Sequence, residues 1–281
     1  MLFTDHSMSE GDEPFNAGIM KNKTLLHKGE AIKCFVDLSR AESTIDAGQI
    51  PHRSGKVLLG NMDNKDYVMK LYNFKDVTAL RDVYGVGAYA QQIQADLSVY
   101  VRSGEGKKFM QYFAHFKQVE SKRHNVRCPL IDDEEWSSWS DAQRNLFVHD
   151  CCLANHIAEV TAYQALSQLQ GKSIPRLIES GVIWDGTLPG EEEFFRTSYI
   201  LLEYVPGPTL QQLAEKVDRS KWQAICDAVL NTFRAVDNHG IANYNMSPEN
   251  IITLTLTKWS LYVLLWLTSR VASRACMTHE S

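Results

Sequence analysis

The amino-acid sequence predicts an α+β protein, in which a sheet lobe with one long helix is followed by a helical lobe. Short runs rich in β-branched, aromatic and leucine residues, bounded by turn residues, are typical of strands. Two longer segments carry apolar residues at helical spacing after a capping residue. The order of strands, helix, strands and then helices is that of an α+β layout. The predicted strands cover residues 31–38, 56–60, 66–72, 174–184 and 198–205.

Composition and charge indicate an ordinary globular protein. The chain has 281 residues, of which 44% are hydrophobic and 22% charged, and its formal net charge is -5. Because this balance provides no basic surface, nucleic acid is not expected as a partner. The six cysteines contain no CxxC pair, and the polar arm Met1–Gly29 carries no apolar leader segment. Both features favour a reducing location in the cytoplasm or nucleus.

The strands before residue 75 follow one another closely and are expected to form an antiparallel sheet. Residues 75–139 do not fit this layout, and we interpret them as an insertion. Its apolar spacing predicts helices over Val77–Val101 and Lys108–Glu120. The acidic segment Ile131–Trp136 is expected to be a loop.

A long helix is predicted to start after Ser140. Ser140 and Gln143 form a capping box, in which each side chain binds a free backbone amide of the first turn. Apolar residues at three- and four-residue spacing extend the pattern to Gly171, where the helix is expected to stop. Wider gaps in the pattern predict a possible break near Asp150.

The helical part begins after the last long strand. Thr209 is expected to cap a short helix, and Ser220 with Gln223 has the spacing of another capping box. The helix after Ser220 is expected to end at Gly240. Its predicted buried face consists of Trp222, Cys226, Val229, Phe233 and Val236.

The most specific motif follows this helix. It reads Asn243-Tyr244-Asn245-Met246-Ser247-Pro248-Glu249-Asn250-Ile251-Ile252, directly after His239-Gly240-Ile241 and Ala242. The segment resembles the catalytic loop of protein kinases, H-R-D-L-x-x-x-N. Its final Asn250 coincides with the family's metal-binding Asn, and Asn245 stands where the family has its catalytic Asp.

Three further features of the protein kinase family occur in the same order. Tyr67-Val68-Met69-Lys70 resembles the V-A-I-K strand, which makes Lys70 the candidate phosphate-binding lysine. Glu159, on the predicted long helix, is the candidate partner of that lysine. Leu202-Glu203-Tyr204-Val205 resembles the hinge between the two lobes. The resemblance covers about residues 31–72 and 140–252.

The resemblance implies a protein kinase-like two-lobe fold. Residues 30–205 would form the N-lobe, with an antiparallel sheet and one helix equivalent to the family's αC. Residues 206–252 would form an incomplete helical C-lobe. Residues 253–281 would be an atypical apolar tail.

The resemblance also implies the roles of the site residues toward ATP. Lys70 would neutralise the α- and β-phosphates, and Glu159 would hold Lys70 in place. Backbone groups near Glu203 and Val205 would bind adenine. Asn250 would be a metal ligand. The implied reaction moves the γ-phosphate of ATP to a Ser or Thr hydroxyl of a protein.

Three departures from the family pattern argue against efficient transfer. No G-x-G-x-x-G lies between the first two strands, where only Gly48 and Gly55 are present. Asn245 cannot accept a proton at neutral pH, and loss of general-base help costs about 10²–10⁴ in rate. Residues 251–281 contain no Asp, so Asn250 is the only family-type ligand offered to Mg²⁺.

These departures leave several functions open. The sequence predicts a kinase-like domain with weak or no transfer, and a pseudokinase scaffold that binds a protein partner is the main alternative. A small-molecule kinase of the same fold, such as an aminoglycoside-type phosphotransferase, needs the same missing aspartates. A dinucleotide enzyme is suggested by Gly85-Val86-Gly87-Ala88-Tyr89-Ala90, but that motif requires a preceding strand and here follows a helical pattern.

The tail departs from the family in composition. Trp259–Leu267 is an apolar run in place of the activation segment, and an altered or misjoined C-terminus is the favoured explanation. A tail anchor is the alternative, but a membrane span needs about 20 apolar residues, which the run does not supply. The run would be an aggregation hazard if exposed.

Overall fold

The structure of the chain is a computed structural model that describes residues 24–27, 35–37, 56–62, 65–124, 131, 133–184, 191–214, 217–241, 247–253 and 261–263. Its strands are β1 (Thr24–His27), β2 (Phe35–Asp37), β3 (Lys56–Met62), β4 (Lys65–Tyr72), β5 (Leu177–Trp184), β6 (Thr197–Glu203), β7 (Ile251–Thr253) and β8 (Leu261–Val263). Its α-helices are α1 (Thr78–Val83), α2 (Gln91–Arg102), α3 (Glu105–His124), α4 (Asp133–Ser138), α5 (Asp141–Ala165), α6 (Glu192–Phe195), α7 (Leu210–Leu213) and α8 (Trp222–Asp237).

Six strands form one sheet in the order β1-β5-β6-β4-β3-β2, and β7 pairs with β8 separately. All neighbours from β5 to β2 are antiparallel, which confirms the predicted α+β class with an antiparallel sheet. The helix α5 packs on β4 and β6 at the centre of this sheet. The described residues therefore have a sheet layer, one long helix on it and a smaller helical part after β6.

Strand β1 was not predicted. It lies inside the segment expected to be a polar arm, and it pairs in parallel with β5 at the edge of the sheet. Four residues are at the lower limit of a recognisable strand pattern, so a pairing of this length is decided by the neighbouring strand. The remaining residues of Met1–Gly29 lie outside the described part of the chain.

The insertion is helical, with bounds that differ from the predicted ones. The single helix expected over Val77–Val101 is divided into α1 and α2, because Gly85 and Gly87 between them adopt φ angles of +61° and +74°. The segment Ile131–Trp136, expected to be a loop, contributes most of α4. Three acidic residues in the first turn of α4 interact favourably with the helix dipole.

Helix α5 begins with the predicted capping box, in which the Ser140 hydroxyl accepts from the Gln143 amide at 3.3 Å. The helix does not break near Asp150, whose two carboxylate oxygens each accept from Lys117 Nζ of α3 at 2.8 Å. It ends at Ala165 rather than at Gly171. Gly171 lies in the following turn with a φ of +71°.

The insertion is fastened to α5 by a buried arginine. Arg81 of α1 is 1% exposed, and its guanidinium donates to the carbonyls of Phe74 and Gly87 and to Asn145 Oδ1 of α5. Asn145 in turn donates to the Asp141 carbonyl at 2.7 Å. Because buried polar groups need such partners, this network fixes the start of the insertion against the long helix.

Aromatic side chains fill the remaining space between the insertion and α5. Phe113 of α3 lies edge-on to Phe147 of α5, with ring centroids 5.5 Å apart. Trp139 lies edge-on to Phe109 at 5.1 Å. These rings belong to the main hydrophobic core, so the insertion is part of the folded domain.

The helical part confirms one predicted cap and corrects another. Thr209 caps α7 through a capping box with Gln212. Ser220 does not cap α8: its amide donates to Asp218 Oδ1 at 2.8 Å and starts a 3₁₀ turn over Arg219–Lys221. Gln223 instead donates to Asp227 within the helix. The nearby Asp218 carboxylate competes successfully for the amide because it is the stronger acceptor.

The buried face of α8 agrees with the predicted one only in part. Val236 is buried and Phe233 packs against the core as predicted. Cys226, however, is exposed, and Ile225 and Thr232 are buried instead. Adjacent stripes on a helix share a similar apolar spacing, so the packing partner decides which stripe is buried. Among the described residues, no helix is both long and apolar enough to cross a membrane.

His149 of α5 gives the fold a predicted weakness in acid. Burial, together with the nearby charge of Arg196, lowers the pKa of His149 from 6.5 to about 4. The unfolded chain binds a proton at this residue below pH 6.5, and the folded protein does so only near pH 4. The free energy of unfolding should therefore fall by up to about 3 kcal/mol as the pH is lowered through this window.

Urea unfolding of the wild type and of His149→Gln between pH 4 and 7 measures this effect. The glutamine does not titrate, so the variant should lose less stability than the wild type over the same pH range. Equal pH dependence of the two proteins would contradict the assignment to His149.

Candidate functional site

Lys70 and Glu159 form an ion pair between the sheet and the long helix. Lys70 lies on β4 opposite Ile200 of β6, and Glu159 lies on α5. The distance from Lys70 Nζ to Glu159 Oε2 is 2.6 Å, and the two residues are 3% and 1% exposed. The structure therefore brings together the two side chains that the kinase resemblance pairs.

Tyr72 joins this pair from the same strand. Its hydroxyl donates to Glu159 Oε2 at 2.5 Å, the oxygen that also accepts from Lys70. Its ring lies 5.0 Å from Lys70 Nζ. Tyr72 was not predicted as a site residue, although residues two apart on a strand point to the same face and so place it beside Lys70.

Tyr163 lies one helical turn beyond Glu159 on α5 and is completely buried. It too was missed, although residues four apart on a helix share one side. Burial raises the pKa of Tyr72 and of Tyr163, and the negative charge of Glu159 raises both further. Both tyrosines therefore stay protonated hydroxyls near neutral pH.

Burial lowers the pKa of Lys70, and the carboxylate of Glu159 opposes part of that shift. A buried ammonium is costly unless a charge of opposite sign and hydrogen bonds compensate for its lost hydration. Glu159 supplies both. Lys70 and Glu159 therefore place one positive and one negative charge next to each other at fixed positions inside the protein.

The hinge-like residues lie at the end of β6. Glu203 donates its amide to the Arg176 carbonyl at 2.9 Å, and its carboxylate accepts from the Arg176 amide at 3.2 Å. Tyr204 donates its amide to the Asp66 carbonyl. Val205 is buried, and within the described residues its amide and carbonyl make no hydrogen bond.

Asn250 is 1% exposed and ends a 3₁₀ turn over Pro248–Asn250, where its amide donates to the Ser247 carbonyl. The next strand, β7, lies against the segment after the hinge, because the Thr253 amide donates to the Pro208 carbonyl at 3.1 Å. Contact is close there: a Cβ on Gly207 would lie 2.2 Å from the Thr253 carbonyl oxygen. The structure thus joins the hinge end to the segment that carries Asn250.

Asn245, at the position of the catalytic Asp, lies outside the described residues. Within the described ranges, no group of three or more His, Cys, Asp or Glu side chains could hold a metal ion. The described residues do not offer the carboxylate ligands that Mg²⁺ prefers.

The dinucleotide-binding alternative does not fit the fold. Gly85 and Gly87 follow helix α1 and not a strand, and the Gly87 carbonyl accepts from Arg81 at 2.7 Å. The strand–turn–helix context in which such a motif binds phosphate is therefore absent at these residues.

Comparisons with known proteins do not establish which family the chain belongs to. No protein-family model matches the chain, and no curated protein matches its sequence. One similar solved structure is that of Rad53 1–466 in complex with AMP-PNP, with 11% identity, a TM-score of 0.38 and coverage of 83% of this chain and 39% of that one. Another is WbdD with the kinase inhibitor LY294002, with 14% identity, a TM-score of 0.34 and coverage of 76% and 30%. The chain thus spans well under half of either solved chain.

The buried pair should be strongly coupled in its effect on stability. Lys70→Met leaves the Glu159 carboxylate without its cation, and Glu159→Gln leaves the Lys70 ammonium without its anion. Each single change should lower the free energy of unfolding by about 3–5 kcal/mol. Lys70→Met with Glu159→Gln removes both charges and should lose clearly less than the sum of the single changes.

Urea unfolding of the four proteins at pH 7 measures this coupling. Lys65→Met on the exposed start of β4 is the control and should be nearly neutral. Additive losses in the double variant would show that the two side chains do not act as a pair.

Proposed function

We propose that the chain is a protein kinase-like domain that binds ATP and transfers its phosphate weakly or not at all. The observation that carries the proposal is the buried ion pair from Lys70 on a central strand to Glu159 on the long helix. Protein kinases use a strand lysine held by a helix glutamate to position the phosphates of ATP. The antiparallel sheet and the single long helix packed on it supply the same layout.

The proposed role of Lys70 is to neutralise the α- and β-phosphates, and Glu159 orients it. Because Lys70 is nearly fully buried, its ammonium reaches a phosphate only when neighbouring side chains open locally. The charge of the phosphates would replace part of the stabilisation that Glu159 supplies. Nucleotide binding should therefore loosen the contact between Lys70 and Glu159 without removing it.

The proposed adenine contact is the backbone of Val205 at the end of β6. Its amide can donate to a ring nitrogen and its carbonyl can accept from an amino group, and neither is used by the described residues. Backbone contacts of this kind select the shape of the base without a specialised side chain. They support the prediction that the hinge-like residues bind the base.

Phosphate transfer is not favoured by the residues at the catalytic positions. Asn245 replaces the Asp that orients or accepts the substrate proton, and residues 251–281 supply no Asp to hold a metal. The same observations favour the alternative function, a pseudokinase scaffold that binds a protein partner with or without ATP. Nucleotide binding and phosphate transfer separate these possibilities.

A binding measurement tests the proposed nucleotide site. The full chain should bind ATP, measured by calorimetry with and without Mg²⁺, and Lys70→Met should weaken binding by about tenfold or more because one charge-assisted contact is lost. Lys65→Met on the same strand should bind as the wild type does. Equal affinity of the wild type and Lys70→Met would contradict the proposed site.

Restoring a carboxylate at position 245 tests the proposed lack of efficient phosphate transfer. Asn245→Asp adds the proton acceptor but no metal ligand, so transfer from radiolabelled ATP to a generic protein substrate should stay at the background of the wild type. Robust transfer by Asn245→Asp would show that the metal requirement is met in another way and would overturn this part of the proposal.

A further inference from the structure

Two donors converge on one oxygen of Glu159. Lys70 Nζ lies 2.6 Å and the Tyr72 hydroxyl 2.5 Å from Glu159 Oε2. Tyr72 is 2% exposed, so its hydroxyl has no ready access to water as an alternative partner. A buried carboxylate oxygen that accepts from two donors is fixed in position by them.

Tyr72 contacts both members of the pair. The hydroxyl binds the carboxylate, and the ring lies beside the ammonium at 5.0 Å. A cation next to an aromatic ring is stabilised by the ring's electrons, most strongly where water is excluded. The single side chain thus bridges the carboxylate and the ammonium.

Two other polar side chains lie near the pair within the described residues, and neither makes a hydrogen bond to Glu159. The Tyr163 hydroxyl is buried and makes no hydrogen bond to the described residues. His156 lies edge-on to Tyr72 at 5.2 Å, but its Nε2 is 3.1 Å from the Tyr199 carbonyl. Within the described residues, Tyr72 is therefore the tyrosine that contacts Glu159.

We propose that Tyr72 is a positioning residue, which acts through Glu159 to hold Lys70 in the orientation needed for binding phosphate. The proposal rests on the proposed function of Lys70. It goes further by assigning the alignment of the lysine to two side chains, Glu159 and Tyr72, instead of to Glu159 alone. Loss of the hydroxyl should leave Lys70 in place but less firmly held, and so more reactive as an amine.

The reactivity of Lys70 tests this directly. The full chain is treated with the acetyl ester of N-hydroxysuccinimide, and acetylation of Lys70 is followed by peptide mass spectrometry. Tyr72→Phe should raise the rate at Lys70 by about tenfold, as expected when one hydrogen bond to a charged group is lost. Lys117, which is ion-paired with Asp150 in the insertion, provides an internal reference in the same sample and should not change.

A matched tyrosine on the other face of the sheet is the control. Tyr199 of β6 is also buried and donates to a carboxylate, Glu179 Oε1, at 2.7 Å. Tyr199→Phe removes the same kind of hydrogen bond and should leave the Lys70 rate at the wild-type level. Equal acceleration by Tyr199→Phe and Tyr72→Phe, or an increase at Lys117 as well, would indicate general loosening and overturn the proposal.

A double variant shows whether Tyr72 acts through Glu159. Glu159→Gln should itself accelerate Lys70 acetylation, and adding Tyr72→Phe should then have little further effect. The same acceleration in both backgrounds, or no effect of Tyr72→Phe in the wild type, would refute the proposal. The acetylation assay contains no nucleotide. Failure of the chain to bind ATP would therefore count against the proposed function, but it would not change the outcome of the acetylation assay.

Discussion

The ion pair between Lys70 and Glu159 sets the main constraint on this structure. Two opposite charges 2.6 Å apart inside a protein are tolerable only when their partners are fixed, since each would otherwise be buried without compensation. The strand and the helix must therefore keep a single relative position. Tyr72 reinforces that position from the strand side. The buried ion pair thus helps to set the position of the long helix relative to the sheet.

The insertion holds the helix from the other side. Arg81 and Lys117 bind α5 near its start and at Asp150, and aromatic side chains pack between them. Helix α5 is consequently enclosed by the sheet on one side and by the insertion on the other. In this arrangement Glu159 lies on the helix that contacts both the sheet and the insertion. Movement of Glu159 away from Lys70 would require the insertion to move as well.

Local patterns predicted much of the fold and less of the site. The strands of the sheet other than β1 and the caps at Ser140 and Thr209 depend on neighbouring residues, and the structure confirms them. The cap at Ser220 and the exposed Cys226 were predicted wrongly, because Asp218 and the packing of α8 decided those positions. The insertion had no counterpart in the kinase resemblance, so only its apolar spacing could be interpreted. The functional roles of Lys70, Glu159, Glu203, Val205 and Asn250, like that of Asn245, stay predictions.

The amino-acid sequence by itself determined β2 to β6, helix α5 with its cap, the cap of α7, and the identity of the residues at the kinase-like positions. These depend on periodicity and on chemistry within a few residues. Only the tertiary structure decided that Lys70 reaches Glu159 across 89 positions, and that Tyr72 shares the same carboxylate oxygen. The physical reason is that burial and distance between distant residues arise from packing, which no local pattern contains.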